Sequence, residues 1–152
     1  MQSEAREALQ PFENGDADNP YTVQRDLQEM MQHNVGIVRD ESEMQSALEH
    51  LKVLWERTRE VGVTGHRDFN PGWHTALDLK NLLTVSEAIT RAALERKESR
   101  GAQFREDYPE KSAELGKVNT IVWKGDDGGM QIRCDSIPEM REELRRVIEE
   151  MK

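Results

Sequence analysis

Residues 71–101 read PGWHTALDLKNLLTVSEAITRAALERKESRG, and their apolar positions recur at the three- and four-residue spacing of an amphipathic helix. Asn70 and Pro71 form a typical helix start, because asparagine suits the N-cap and proline suits the first helical position. The apolar positions are Trp73, Ala76, Leu77, Leu79, Leu82, Leu83, Ile89, Ala92 and Ala93. The pattern predicts a long helix from about residue 72 to residue 98, with Gly101 as its C-terminal stop.

Two further amphipathic stretches precede this helix. The first starts at Asn19–Pro20, and its apolar positions are Val23, Leu27, Met30, Met31 and Val35. The second begins with a capping-box pattern, Ser42 followed by Gln45, and its apolar positions are Met44, Ala47, Leu48, Leu51, Leu54, Trp55, Thr58 and Val61. Three such helices with short connections predict an up-down-up bundle resembling a spectrin repeat.

The pattern changes after Pro109. Residues 118–123 (VNTIVW) are β-branched and aromatic, the following KGDDGG supplies turn residues, and 130–134 (MQIRC) alternate as a half-buried strand does. These features predict a β-hairpin. Because an isolated hairpin is marginal in water, we expect it to lie against the bundle or another part of a larger protein. Pro138 is predicted to open a final helix with apolar positions Met140, Leu144, Val147, Ile148 and Met151.

The predicted fold is therefore mainly α, a three-helix bundle with a C-terminal β-hairpin and a final short helix. Residues 1–19 form a polar leader, in which the stretch 2–12 predicts a short helix ended by Pro11. Residues 20–109 form the bundle, and residues 110–152 form the hairpin and the last helix.

The composition excludes several classes of function. The 152 residues include 21 Lys and Arg against 30 Asp and Glu, and the net charge of −9 repels phosphate backbones, so no nucleic-acid partner is expected. No apolar run approaches the ~20 residues of a membrane span, and no signal-peptide core is recognisable, so no direct membrane insertion is expected. A single cysteine, Cys134, excludes an internal disulfide framework and a cysteine-clustered zinc site.

The sequence contains no recognisable catalytic centre. It has no GxGxxG, GxxxxGK[ST], HExxH, GxSxG or CxxC motif. No histidine follows another at the i, i+4 spacing that places two metal ligands on one helix face. The histidines are His33, His50, His66 and His74. We therefore predict no catalytic, cofactor-binding or metal-binding residue within this chain.

A plain helix end does not account for residues 95–109, ERKESRGAQFREDYP. The segment places Arg96, Arg100 and Arg105 around a glycine and continues to Asp107. Arginine suits planar, two-point contacts in partly buried places. Two interpretations remain open: a basic cap that satisfies the last carbonyls of the long helix, or a motif that organises packing against another domain.

This segment and the preceding ALDLKNLLTVSEAITRAAL resemble the C-terminal helical domain of succinate dehydrogenase and fumarate reductase flavoprotein subunits, a domain type shared by L-aspartate oxidase. The family pattern is approximately E-S-R-G-A-H-x-R-x-D-x-P after a helix with L-[RK]-N-[ML]-L. The matching residues are Leu79, Lys80, Asn81, Leu82, Leu83, Glu98, Ser99, Arg100, Gly101, Ala102, Arg105, Asp107 and Pro109. Gln103 stands where the family usually has histidine, and upstream LQEMMQHNVGIVR resembles the family's L-Q-x-x-M-x-x-x-V-G-[IV]-x-R. The similarity covers about residues 19–135.

The resemblance implies that the cofactor and the reaction belong to other parts of a larger protein. FAD is expected in a preceding flavin-binding domain of the same subunit. Succinate–fumarate interconversion is expected between that domain and a capping domain, with electrons passed to an iron–sulfur subunit. This chain alone is expected to hold no cofactor and to be inactive, and to be cytoplasmic, associated with membranes only through partner subunits. The predicted domain-interface motif is Asn81, Glu98, Ser99, Arg100, Gly101, Gln103, Arg105 and Asp107.

Two alternatives remain. In the first, the chain is a stand-alone helical interaction module that has the fold of this domain but is not part of an enzyme. In the second, it is the corresponding domain of an L-aspartate oxidase. In each case a surface built to meet another domain is exposed in the isolated chain, so we expect self-association through an apolar patch.

Overall fold

Five helices and two small sheets make up the computed structural model, which describes residues 2–151. The helices are α1 (Gln2–Asn14), α2 (Pro20–Asn34), α3 (Glu41–Arg59), α4 (Pro71–Glu95) and α5 (Glu142–Glu150). The strands are β1 (Val38–Arg39), β2 (Phe104–Arg105), β3 (Val118–Lys124) and β4 (Met130–Ser136), and a 3-10 turn (Leu115–Lys117) precedes β3. The mainly helical fold with a hairpin and a final short helix is thus confirmed.

The core lies where α2, α3 and α4 pack on one another. Its central buried side chains are Val23, Leu27, Leu51, Leu54, Leu79 and Leu83. A second buried cluster joins the end of α2, the start of α3 and the end of α4 through Val35, Met44, Ala47 and Ala93. Each of the three predicted bundle helices thus contributes apolar side chains to the core, because burial of these side chains is the dominant favourable term in folding.

The predicted stripe of α4 is broader than the buried one. Leu77, Leu82 and Ile89 were predicted among its apolar positions, yet they are 37, 36 and 47% exposed, whereas Ser86 and Thr90 are buried. A helix covered by two neighbours on one side buries a single arc, and residues outside that arc face outward whatever their chemistry. Thr90 is accommodated because its hydroxyl donates to the carbonyl of Ser86 at 2.8 Å.

Helix α1 does not end at Pro11 as predicted but continues to Asn14, with the proline inside it. Proline removes one backbone hydrogen bond of the helix. Contacts before and after Pro11 nevertheless hold α1 in place. The indole Nε1 of Trp73 donates to the carbonyl of Ala8 at 2.7 Å, and the Asn14 side chain donates to the carbonyl of Val61 at 2.8 Å. These tertiary contacts therefore outweigh the helix-breaking tendency of Pro11.

Three other helix ends differ from the prediction. The capping box at Ser42 is wrong, because Asp40 is the N-cap of α3 and accepts from the Glu43 amide at 2.9 Å. Helix α4 ends at Glu95 rather than residue 98, since Arg96 leaves helical geometry. Helix α5 begins at Glu142 and not at Pro138, and every residue of it is exposed.

The hairpin is confirmed, and β3 pairs antiparallel with β4 in a register that runs from Val118 opposite Ser136 to Lys124 opposite Met130. Its base lies against the C-terminal half of α4. The sequence did not reveal a second pairing, β1 parallel to β2, because strands of two residues have no readable periodicity. This short pairing joins the α2–α3 connection to the segment that follows α4.

Gly62 lies at a close approach of two chain segments. A Cβ atom at this position would be 2.3 Å from the carbonyl oxygen of Gly15 and 2.9 Å from the amide nitrogen of Ala17. The Gly62 amide also donates to the carbonyl of Asp18 at 2.9 Å. Glycine is therefore required for the end of α3 to pack on the α1–α2 connection.

None of the helices within residues 2–151 combines the length and apolar character that crossing a membrane requires.

Candidate functional site

The candidate site is the segment that turns back beneath the C-terminal end of α4. Arg100 and Gln103 exchange backbone hydrogen bonds of 2.9 and 3.1 Å across a tight turn. Gly101 in this turn has a φ of +62°, a conformation that glycine adopts without steric penalty. The turn brings β2 alongside β1 and places Arg105 and Gln103 against the end of α4.

Arg105 is completely buried and caps α4. Its Nη1 donates to the carbonyl of Ala93 at 2.9 Å and to that of Leu94 at 3.3 Å, so it satisfies carbonyls that have no partner within the helix. Its guanidinium also lies 5.0 Å from the ring centroid of Tyr108. The interpretation of the motif as a basic helix cap therefore describes Arg105.

Asp107 pairs with Arg105 and links it to α3. Arg105 Nε and Nη2 donate to the two carboxylate oxygens at 2.7 and 2.6 Å, and the amide of Glu41 donates to Oδ2 at 3.2 Å. Hydrogen bonds from Arg105 are the main reason that the pKa of Asp107 lies below its usual value. The pair fastens the end of α4 to the start of α3.

Glu98 is the second buried charge, with no exposed surface. Its carboxylate accepts from Arg100 Nε at 2.9 Å and Nη2 at 3.1 Å, from the Ser112 amide at 2.8 Å, and pairs with Arg96 Nε at 3.0 Å. Hydrogen bonds from Arg100 lower the pKa of Glu98, followed by the Ser112 amide and the charges of both arginines, against the opposing effect of burial. A buried carboxylate is tolerated here because it is fully hydrogen-bonded.

Two polar residues complete the network. The Gln103 side-chain nitrogen donates to the carbonyls of Arg96 at 2.9 Å and Glu98 at 3.1 Å. The Ser99 hydroxyl donates to the Tyr108 carbonyl at 3.0 Å and accepts from the Arg105 amide at 2.9 Å. An amide can make both Gln103 bonds through a single nitrogen, but it cannot supply a titratable proton as histidine would.

The structure brings most of the predicted motif into one network and leaves one residue apart. Glu98, Ser99, Arg100, Gln103, Arg105 and Asp107 are joined by the bonds described above, around the turn made by Gly101. Asn81 is exposed on α4, about 21 Å from its last residue at 1.5 Å per residue, and does not belong to this network.

Arg39 was not among the predicted site residues, yet it lies beside them. It pairs in register with Arg105 in the β1–β2 ladder. Burial, followed by the positive charge of Arg105, lowers the pKa of Arg39. The sequence could have identified Arg39 as a site residue, since it is the final arginine of the V-G-[IV]-x-R family pattern.

An open groove of about 560 Å³ lies between this network and the base of the hairpin. Its lining includes Arg39, Ile89, Arg96, Gln103, Val118 and Ile137. Arginine keeps its proton at neutral pH, so the groove is equipped to bind rather than to transfer protons. Within residues 2–151 no cluster of three or more His, Cys, Asp or Glu side chains could hold a metal ion.

Comparison with known proteins identifies a family. The family model described as "Fumarate reductase flavoprotein C-term" matches residues 24–149. The fumarate reductase flavoprotein subunit of Mycobacterium tuberculosis is 34% identical over 111 residues, which are 72% of this chain and 19% of that protein. The succinate dehydrogenase flavoprotein subunit of Coxiella burnetii is 37% identical over 117 residues, 76% of this chain and 20% of the relative.

Two further similarities bear on function. The L-aspartate oxidase of Acinetobacter baylyi is 35% identical over 106 residues, 68% of this chain and 19% of that enzyme. Among solved structures, Mycobacterium smegmatis Sdh1 in complex with UQ1 superposes with a TM-score of 0.85 at 40% identity, covering 97% of this chain and 26% of that one. The chain thus spans about a fifth of the length of the curated relatives it matches.

Proposed function

The chain belongs to the fumarate reductase flavoprotein C-terminal family, and on that premise we propose that it is the C-terminal domain of an FAD-dependent flavoprotein subunit that interconverts succinate and fumarate. The observation that carries the proposal is the family match over residues 24–149. The buried arginine–carboxylate network adds support, because it is built from the residues that carry the family motif. FAD belongs to the preceding flavin-binding domain, the substrate reacts between that domain and a capping domain, and electrons pass on to an iron–sulfur subunit.

The role of this chain in such an enzyme is positional, and alone it is inactive. Arg105 and Asp107 anchor the segment after α4 to the end of α4 and the start of α3, and Glu98 ties its two halves together through the Ser112 amide, so the segment offers a fixed surface to a neighbouring domain. Residues Leu82, Val85 and Ile89 follow one another at helical spacing on α4, and all three are exposed. An apolar stripe that the bundle leaves uncovered is typical of a surface that packs against another domain. Arg100, Arg105 and Asp107 organise that packing and take no part in the chemistry.

A second candidate reaction is the oxidation of L-aspartate, favoured by the Acinetobacter baylyi relative. The stand-alone interaction module is the third reading, in which the same surface binds a different protein. We propose in addition that the chain is cytoplasmic and associated with membranes only through partner subunits.

Capture of the native gene product tests these candidates. An antibody raised against this chain is used to isolate the protein from source cells, and its mass and visible spectrum are recorded. A much larger yellow chain that retains an iron–sulfur protein and reduces a dye with succinate supports the proposal. Dye reduction with L-aspartate instead identifies the second candidate. A colourless species of 17.6 kDa contradicts both enzyme assignments.

A further inference from the structure

One positive charge in the groove has no partner. The Nε atom of Arg39 is buried without a hydrogen-bond partner, and with the described side chains of residues 4–151 the guanidinium forms neither an ion pair nor a hydrogen bond. Its pKa is lowered by burial and by Arg105, and no carboxylate opposes these effects. A partly desolvated guanidinium without an anion is an unfavourable arrangement in an isolated domain.

The neighbouring charges leave the groove positive. Arg96 and Arg100 share the carboxylate of Glu98, and Arg105 is paired with Asp107. Among the described residues that line the groove, three are arginines (Arg39, Arg96 and Arg100) and none is acidic, in a chain whose net charge is −9. The guanidinium groups of Arg96, Arg100 and Arg105 are held by hydrogen bonds inside the chain, so Arg39 is the group that remains available to an external anion.

We infer that the groove binds a carboxylate side chain, an Asp or Glu of the flavin-binding domain, which docks against Arg39. Because Nε is buried, the carboxylate would approach the two terminal nitrogens of the planar guanidinium, with which it can form paired hydrogen bonds. The identity of the partner domain rests on the proposed function, whereas the carboxylate specificity rests on the groove itself. Arg39 then acts as a docking residue that becomes satisfied only when the two domains meet.

Two features favour a polypeptide carboxylate over a free dicarboxylate. The groove has one unpartnered cation, so a second carboxylate on a small ligand would find no charge of its own. Its remaining lining includes apolar side chains, Ile89, Val118 and Ile137, which suit the backbone and methylene groups of a peptide segment. One carboxylate on an otherwise neutral chain therefore matches the groove.

The first test is the stability of the isolated chain. Arg39→Met removes an unpaired charge and keeps an unbranched side chain, so the thermal midpoint is expected to rise by roughly 2–4 °C. Arg25→Met is the matched control, because Arg25 is exposed and lies 4.0 Å from Glu29, and no rise is expected. A fall in the midpoint of Arg39→Met would show that Arg39 stabilises this chain by itself and would overturn the inference.

The second test measures binding by NMR, with N-acetyl-glutamate N-methylamide as the probe and succinate as the comparison. The expected result is a saturable shift of the Arg39 Nε–H signal and of the amides of residues 118–120. The shift should be absent in Arg39→Met and at least about tenfold weaker in apparent affinity with N-acetyl-glutamine N-methylamide, which lacks the charge. Arg39→Lys, which keeps the charge without the planar fork, should bind more weakly than the parent chain.

Three outcomes would overturn the inference: no shift at tens of millimolar probe, equal shifts in Arg39→Met, or tighter binding of succinate than of the peptide probe. The last outcome would define a small-molecule site instead of a docking contact. Because both tests use the isolated 152-residue chain, their failure would leave the flavoprotein assignment standing, and that assignment is judged separately by the captured native protein.

Discussion

The guanidinium of Arg105 and the carboxylate of Asp107 face each other in a two-point ion pair, with Nε–Oδ1 and Nη2–Oδ2 distances of 2.7 and 2.6 Å. Arg105 is wholly buried, and its remaining nitrogen caps α4 at the carbonyl of Ala93. The same carboxylate accepts from the amide of Glu41 at the start of α3. A pair two residues apart in sequence thereby joins two helices of the bundle.

Replacing Arg105 by glutamine should destabilise the chain strongly. The change leaves the last carbonyls of α4 without a donor and removes the ion pair with Asp107, whose side chain is 28% exposed, and each buried acceptor left unsatisfied costs about 1–3 kcal/mol. Urea unfolding followed by circular dichroism measures the loss. The control is Arg133→Gln, which removes an exposed pair with Asp135 and should cost at most about 1 kcal/mol. Equal losses in the two variants would contradict the capping role.

Acid should destabilise the chain through Glu98 and Asp107. Hydrogen bonds from arginine lower the folded-state pKa of each carboxyl below its unfolded value, so the stabilisation is complete above the unfolded pKa of about 4 and is lost as pH falls through the folded values. Urea unfolding between pH 7 and pH 3 should show this loss, and Glu98→Gln should reduce its slope. Glu139→Gln, at an exposed position, should leave the slope unchanged; if Glu98→Gln does likewise, the assignment of the effect to Glu98 fails.

A methyl group at Gly62 should be poorly tolerated. The added Cβ would lie 2.3 Å from the Gly15 carbonyl oxygen, a backbone atom that cannot rotate away, and overpacking of this kind costs about 1–3 kcal/mol. Gly72→Ala is the control, since its Cβ would make no contact closer than 3.4 Å and alanine favours helices. Differential scanning calorimetry should show a lower midpoint for Gly62→Ala only. A midpoint equal to that of the parent chain would exclude the close approach.

Asp40 should contribute more to α3 than Ser42 does. Asp40→Ala removes the carboxylate that accepts from the Glu43 amide, a change that typically costs about 1 kcal/mol. Ser42→Ala removes only the hydroxyl that donates to that carboxylate at 2.8 Å, so a smaller loss is expected. Chemical unfolding of both variants measures the difference. The reverse order would restore Ser42 as the residue that starts the helix.

Truncation after Ile137 should leave the thermal midpoint of the remaining chain within about 2 °C of the parent value, because every residue of α5 is exposed and surface changes have small effects. Ile137 is kept because its amide donates to the carbonyl of Lys117 at 2.8 Å. The midpoint is measured by circular dichroism at 222 nm, a signal that the bundle dominates. A marked fall would show that α5 stabilises the bundle.

Helix ends were harder to predict than helices. The stripes that contain Val23, Leu51 and Leu79 identified three helices, because a long amphipathic period is a property of many residues together. The start of α3 depended on one side chain, Asp40, and Ser42 offered a competing local pattern. Pro11 was misjudged for a related reason, since local propensity is weak beside a tertiary bond such as that from Trp73.

The motif was visible in the sequence, but the hydrogen bonds and ion pairs that its side chains form were not. The run from Glu98 to Asp107 stands out through its arginines, and it matches a family pattern. Sequence did not show that Glu98 has no exposed surface or that Asp107 reaches the amide of Glu41. Those contacts require the turn at Gly101 and the helix end to be placed in three dimensions.

The helices, the hairpin and the family could be predicted from the sequence, because periodicity, turn chemistry and the motif depend on residues that are near one another along the chain. The register of Arg39 with Arg105 follows from the folded arrangement, in which strands of two residues each bring these two cations together. The physical reason is that so short a pairing carries no local signal, and burial of a charge depends on which distant segments cover it. The unpartnered cation of the groove is for this reason a property of the folded chain.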